Sequence, residues 1–259
     1  MAIHTEVLIA GAGPAGLMLA GDLAAAGVQC TITERRTGES NLTRAFAVHA
    51  RTLEELDARG IADELIGRGV KVPALRLFGR AELSLAGVPS RFPYALVTPQ
   101  YETERVLANR ARALGAEIRE GAEVIGLRQD GDQVEVEVQR TGTSQRRTVR
   151  ARYVVGTDGL HSTVRAAAGL PFPGHAVVRS VMLADVPLAE DPAQTMTTDT
   201  TGDCFALVVP FGDGWYRVIA WNRHNQQPDD APVGAGEIRD VLSQVFGTDF
   251  TGGVGTTTP

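Results

Sequence analysis

The sequence predicts an α/β fold with antiparallel strands set into it, on three observations. Residues 5–34 read as strand, glycine turn, helix, glycine, strand. Residues 72–93 and 174–222 interrupt the α/β alternation with short alternating segments and turns. Between those segments, "YVVGTDGLHSTVR" (153–165) carries an apolar run into Gly156-Thr157-Asp158-Gly159, a second glycine turn of the kind found where a strand leaves a sheet.

In "TEVLIAGAGPAGLMLAGDLAAAGVQCTITE", Glu6 to Ala10 is a short apolar strand suited to a parallel sheet covered on both faces. Gly11, Gly13 and Gly16 form GxGxxG. Gly11 permits the tight bend, Gly13 lets a diphosphate approach the backbone, and Gly16 lets the helix sit close to the strand. Pro14, near the helix start, removes no N–H that the helix needs. The helix runs from Leu17 to Ala26 and stops at Gly27, with its N-terminal N–H groups and dipole favouring an anion. The next strand, Gln29 to Thr33, ends at Glu34. A carboxylate there can accept hydrogen bonds from both hydroxyls of a ribose and disfavours a 2′-phosphate. The competing reading is a glycine turn with no ligand; the flanking strand and helix and the register of Glu34 weigh against it. The motif does not separate FAD from NAD.

Arg44 precedes a helix expected from Arg51 onward, striped by Leu53, Leu56, Ile61, Leu65 and Ile66. Its guanidinium can return to the glycine turn and pair with a diphosphate, or stay solvated. Residues 72–93 read as small antiparallel strands of an inserted segment. A helix from Tyr101 to Leu114 ends at Gly115, and Gln100 stands at its entrance, placed to reach a ligand or to cap. Three strands follow, two of them joined through Asp130-Gly131. In "VEVEV" the alternating Glu135 and Glu137 mark a wet face, with no apolar pocket to raise a pKa for acid–base work.

Asp158 is expected at a strand end, orienting a cofactor hydroxyl or a neighbouring arginine. Ser162 and Arg165, three apart, are expected to share a helix face; the plainer reading is a capped turn with Arg165 as the salt-bridge partner. From Gly174, "AVVRSVMLADV" and "CFALVVPFGDGWYRVIAWN" give antiparallel strands, the latter turned at Gly212-Asp213-Gly214. Trp215, Tyr216 and Trp221 are read as sheet packing, on a sheet one face of which can wall a pocket for a planar substrate. "GAGEIRDVLSQVFG" is a last helix, and "TDFTGGVGTTTP" is expected to be disordered.

Composition bounds the rest. The formal charge of −6 lacks the basic excess of a nucleic-acid surface. Cys30 and Cys204 make neither a disulfide framework nor a metal site, and the five histidines have no ligand spacing, so no metal is expected. The N-terminus has no signal-peptide pattern, and no run reaches the ~18 apolar residues of a membrane span, so a cytoplasmic protein is expected.

"GAGPAGLMLAGDLAAAGVQCTITER" together with "GTDGLHSTVR" resembles the FAD-dependent aromatic hydroxylases, the single-component flavoprotein monooxygenases of the p-hydroxybenzoate hydroxylase type. "RAFAVHARTLEELDARG" and "TPQYETERVL" lean toward the polyketide hydroxylases among them. The resemblance implies a Rossmann-like FAD-binding domain of the glutathione-reductase type (residues 1–72 and 96–172) with an inserted antiparallel-sheet substrate domain (73–95 and 173–247), ahead of the tail (248–259) whose composition predicts disorder. It implies that Gly11, Gly13, Pro14, Ala15 and Gly16 hold the FAD diphosphate and that Glu34 holds the ribose, with Arg35 beside the adenine. Arg44 and Gln100 would touch the diphosphate and ribityl region, and Asp158 and Gly159 would support FAD and its reduction. The implied reaction is hydroxylation of an aromatic, polyketide-type ring, in which NADPH or NADH reduces FAD and dioxygen forms a flavin hydroperoxide that delivers one oxygen. No catalytic side chain is assigned. A third family motif, Gly-Asp followed by Ala-Ala-His or similar, is not found, so the chain is expected to be an N-terminal half. The C-terminal half or a second chain is then an expected partner, and a non-catalytic FAD-binding fragment or a flavin oxidoreductase without oxygen insertion the competing functions.

Overall fold

The computed structural model describes residues 3–39, 45–78, 80–175, 178, 180–188, 196–212, 214–228, 231 and 234–247. Arg44, Asp213 and residues 248–259, on which expectations fell, lie outside them. Residues 3–34 form β1 (Ile3–Ala10), α1 (Pro14–Ala25) and β2 (Cys30–Glu34). Residues 47–97 form β3 (Ala47–Val48), α2 (Ala50–Asp57), α3 (Ala62–Ile66), β4 (Val70–Val72), β5 (Ala74–Leu77), β6 (Ala81–Ser84) and β7 (Ala95–Val97). Then come α4 (Gln100–Ala113), β8 (Glu117–Glu120), β9 (Ala122–Asp130), β10 (Gln133–Arg140), β11 (Arg146–Gly156) and α5 (Thr163–Ala167). The last elements are β12 (Met182–Pro187), β13 (Met196–Thr201), β14 (Cys204–Gly212), β15 (Trp215–Asn222) and α6 (Ala235–Phe246). The result is a mixed α/β fold with several sheets.

The chain divides into two units, residues 1–44 with 100–173 and residues 45–99 with 174–259. The expected division differs at Pro173, which clusters with the first unit, and at 45–72 and 96–99, which cluster with the second. Packing explains the latter: β3 and β4 both pair with β7 in one three-stranded sheet, and Val72 and Val97 of that sheet pack on Val209 of the 174–259 segment.

The first unit is built on a six-stranded sheet of order β8-β2-β1-β11-β10-β9. β8, β2, β1 and β11 run parallel; β10 and β9 continue antiparallel. β2 is buried at every position, as a strand covered on both faces must be. Leu8 and Ala10 pack with Val124, Val136, Val138, Val149 and Ala151. On β10 the expected alternation holds: Val136 and Val138 are buried and Glu137 is exposed. Glu135 is paired with Arg128 (2.9 Å) and Arg150 (2.8 Å), which hold its carboxyl below the usual range, so it is a structural ion pair. α1 and α4 pack closely enough that a Cβ on Gly21 would meet Arg110, whose Nη1 lies 3.0 Å from Asp22. Cys30 is a buried free thiol that donates to the Ala20 carbonyl, and burial pushes its pKa up.

The second unit carries a sheet of order β12-β15-β14-β13-β5-β6, in which only the β13–β5 pairing is parallel. α6 buries Ile238, Val241 and Leu242 against Met182, Val186, Ala206, Val208, Val218 and Ala220. Val72 and Val97 of the three-stranded sheet pack on Val209. The expected helix from Arg51 is two helices, because the chain turns at Gly60, whose φ is +72°. Of the aromatic residues read as packing, Tyr216 is buried and Trp221 half-buried, but Trp215 is 42% exposed. Among the described residues, no helix is long and apolar enough to cross a membrane.

Candidate functional site

The parallel strands place two turns side by side, because Ala10 at the end of β1 is in register with Gly156 at the end of β11. The first turn, Gly11 to Gly13, leads into α1. Gly11 has φ +97°, and a Cβ there would stand 2.6 Å from the Thr157 carbonyl oxygen and 3.0 Å from Asp158 Cα. A Cβ on Gly16 would stand 2.2 Å from the Gly11 carbonyl oxygen and 2.6 Å from Thr157 Oγ1. Both positions therefore admit no side chain without moving backbone. At Gly13 nothing stands within 4 Å of the same construction, so that face of the turn is open. Gly13 is the N-cap of α1, Pro14 follows it, Ala15 is exposed, and no side chain caps the helix. The first turn of a helix has N–H groups without partners inside the helix, so its dipole and donors are available to an anion.

Glu34 is aimed back at this turn. Its Oε2 accepts from the Ala12 N–H at 2.8 Å, and its Oε1 accepts from Arg36 N (2.8 Å) and Nε (3.0 Å). The residue is only 7% exposed. Burial pushes its carboxyl up, but the N–H groups of Arg36 and Ala12 and the Arg36 guanidinium outweigh that and hold it below its ordinary 4.5. Arg36 is in turn bonded to Glu104 on α4 through Nη1 (3.1 Å), and Gln100 donates to Glu104 Oε1 at 2.8 Å. Gln100, at the entrance of α4, is thus brought to the same polar cluster as Glu34. Arg35 is exposed, and its carbonyl accepts from Thr141 Oγ1 at 2.7 Å.

The second turn satisfies itself. Asp158 Oδ1 accepts from Ser162 Oγ (2.5 Å) and Oδ2 from the Val164 N–H (3.1 Å), while Ser162 Oγ accepts from the Arg165 N–H (2.9 Å). Ser162 is therefore the N-cap of α5 and does not share a helix face with Arg165. Nor is Arg165 the partner of Asp158: its Nη1 donates to the Leu160 carbonyl at 2.7 Å and its guanidinium lies over Phe172. Gly159, with φ +81°, makes the bend between them.

Three residues of this cluster were missed in the sequence. Thr157 donates its hydroxyl to the Ala10 and Gly11 carbonyls, 2.8 Å each, and pins the two turns together. Arg36 and Glu104 link β2 to α4. The i, i+4 spacing of Gln100 and Glu104 is a local signal; the contact of Glu104 with Arg36, 68 residues distant in sequence, is not.

Comparison with known proteins bears on this geometry. A 12-dehydrotetracycline 5-monooxygenase/anhydrotetracycline 6-monooxygenase of Streptomyces rimosus is 38% identical over 263 residues, covering 95% of this chain and 50% of its own. A rifampicin monooxygenase of Streptomyces venezuelae is 35% identical over 249 residues, 95% of this chain and 51% of its own. Among solved structures, the OxyS anhydrotetracycline hydroxylase from Streptomyces rimosus superimposes with a TM-score of 0.78 at 36% identity, over 96% of this chain and 50% of that one. The chain spans about half the length of the curated relatives it matches. A family model described as an FAD binding domain matches residues 4–252, and with these relatives it places the chain in the FAD-binding domain family of the aromatic and polyketide monooxygenases.

Proposed function

We propose that the chain forms the FAD-binding part of a monooxygenase that uses NADPH or NADH to hydroxylate an aromatic, polyketide-type substrate with dioxygen. The first unit is then a Rossmann-like FAD-binding domain and the second a substrate domain. The carrying observation is the pairing of an open, uncapped glycine turn with a buried carboxylate directed at it. The residues present fit FAD. The open space at Gly13 would admit a diphosphate, which the first-turn N–H groups of α1, those of Ala15 and Gly16 among them, and the helix dipole would hold, and Pro14 presets the helix start. Glu34 would accept from the adenosine ribose, and the exposed Arg35 would lie on the side of the adenine. Gln100 would serve the ribityl region, and Asp158 and Gly159 shape the neighbouring turn. When bound, FAD would supply the redox chemistry. The protein's part is to bind, orient and keep water away from that chemistry.

The test is the visible spectrum of the purified chain and its dependence on Glu34. Oxidised-flavin absorption is expected in the wild type or on titration with FAD. Glu34→Gln is expected to weaken FAD binding by about 1–3 kcal/mol, since it removes a charged acceptor from buried hydroxyls. Unchanged affinity in the variant would end this reading.

A further inference from the structure

Resting on that reading, we infer that Arg36, clamped by Glu104, is a positioning residue that holds the Glu34 carboxylate so that one of its oxygens is kept for the ribose. The arginine divides its donors among three acceptors. Nε goes to Glu34 Oε1 (3.0 Å), Nη1 to Glu104 Oε2 (3.1 Å) and Nη2 to the Ala12 carbonyl (3.4 Å). Its own N–H also bonds Glu34 Oε1 (2.8 Å), and its carbonyl accepts from the Gly121 N–H (2.8 Å). The guanidinium is therefore fixed at the fork and at the backbone.

This occupancy changes what Glu34 can do. A carboxylate accepts about four hydrogen bonds. Oε1 is taken twice by Arg36 and Oε2 once by Ala12. About one place is left, and it is on Oε2, the oxygen beside the glycine turn. The sequence suggests a carboxylate that grips both ribose hydroxyls; the geometry points to one that receives a single hydroxyl at an orientation set by Arg36.

Glu104 completes the clamp. Its side chain is 14% exposed, and Gln100 holds its other oxygen at 2.8 Å. Without it the arginine would be free to swing toward solvent or toward the diphosphate. With it, two carboxylates surround one guanidinium and the cluster keeps a net negative charge facing the ribose. A planar fork held at both ends also has little rotamer freedom left to lose on binding.

A double-mutant cycle on the full chain, titrated with FAD and read by quenching of flavin fluorescence, tests this. Arg36→Met is expected to weaken FAD about 5–10-fold. The double variant with Glu34→Gln is expected to bind within about 2-fold of Glu34→Gln alone, because a positioning residue has nothing left to position. Losses that multiply overturn the inference, since Arg36 would then act on FAD or on the fold by itself. Arg36→Lys is expected to stay about as weak as Arg36→Met, because an ammonium cannot bridge the acceptors as a fork; full rescue by lysine overturns it as well. Should Arg36→Met fold poorly, Glu104→Gln carries the same cycle, with a single loss of about 3-fold and the same non-additivity. A Glu34→Gln variant of undiminished affinity overturns the ribose reading and this inference together. A weakened Glu34→Gln with multiplying losses overturns this inference alone.

Discussion

The two glycine turns at the carboxyl edge of the first sheet leave adjacent parallel strands, yet they treat the helices that follow in opposite ways. After β1 the helix begins with Gly13 and Pro14, and no side chain caps it. After β11 the helix is capped by Ser162, and Asp158 takes both Ser162 and the Val164 N–H. What sets the first helix end apart from the other uncapped ones, those of α2, α3 and α6, is the open space at Gly13 and the buried carboxylate of Glu34 bonded to the Ala12 N–H beside it. The lesson for sequence reading is that an acid after a glycine turn is not by itself a ligand contact. Asp158 and Glu34 look alike as strand-end acids, but one serves its own loop and the other the facing turn.

The comparison breaks most readily at the glycines. Gly16→Ala would force a Cβ to within 2.2 Å of the Gly11 carbonyl oxygen. It is expected to cost about 3 kcal/mol or more, seen as a fall of roughly 6–12 °C in melting temperature. Gly13→Ala meets no protein atom within 4 Å, so melting is expected to stay within about 1 kcal/mol of wild type while FAD affinity falls at least ~10-fold. If both variants lose stability equally, the first turn is as closed around Gly13 as it is around Gly16.

A smaller effect is expected at the second turn. Asp158→Ala removes the acceptor of Ser162 and of the Val164 N–H and is expected to cost about 1–2 kcal/mol of stability. Once melting is accounted for, its FAD affinity should change less than that of Glu34→Gln. The reverse order would mean that Asp158 faces the cofactor more directly than its bonds suggest.

The smallest effect is with pH. The Glu34 carboxyl sits below its ordinary 4.5 in the folded chain, so its ionised form contributes stability above the unfolded value. That contribution is lost only as pH falls through the lower folded value. The melting difference between wild type and Glu34→Gln should therefore be flat from about pH 6 to 8 and shrink below about pH 4.5. A difference that instead grows on acidification would reverse the sign assigned to this group.

How much of this the sequence disclosed follows from the range of each interaction. The turn at Gly11, Gly13 and Gly16, the helix after it and the strand ending in Glu34 were legible, because glycine spacing and apolar runs are local signals. So was the wet face of β10, whose alternation is strict. β13 was not, because "MTTDTT" offers threonines in place of an apolar alternation. The membership of residues 45–72 in the second unit was hidden for another reason: it depends on the pairing of β3 and β4 with β7 and on the packing of Val72 and Val97 on Val209, and short strands carry almost no pattern. The clamp on Glu34 was hidden for the same reason, since Arg36 and Glu104 meet only after β2 and α4 have folded together.

One hydroxyl proton on Thr157 is shared by the carbonyls of Ala10 and Gly11, and the same oxygen stands where a Cβ on Gly16 would go. The Thr157 N–H also donates to the Ala10 carbonyl at 2.8 Å, so one residue rivets the two loops through both backbone and side chain, across 146 positions of chain to Gly11. Neither can drift in shape without the other following, so any strain introduced in one is inherited by its neighbour.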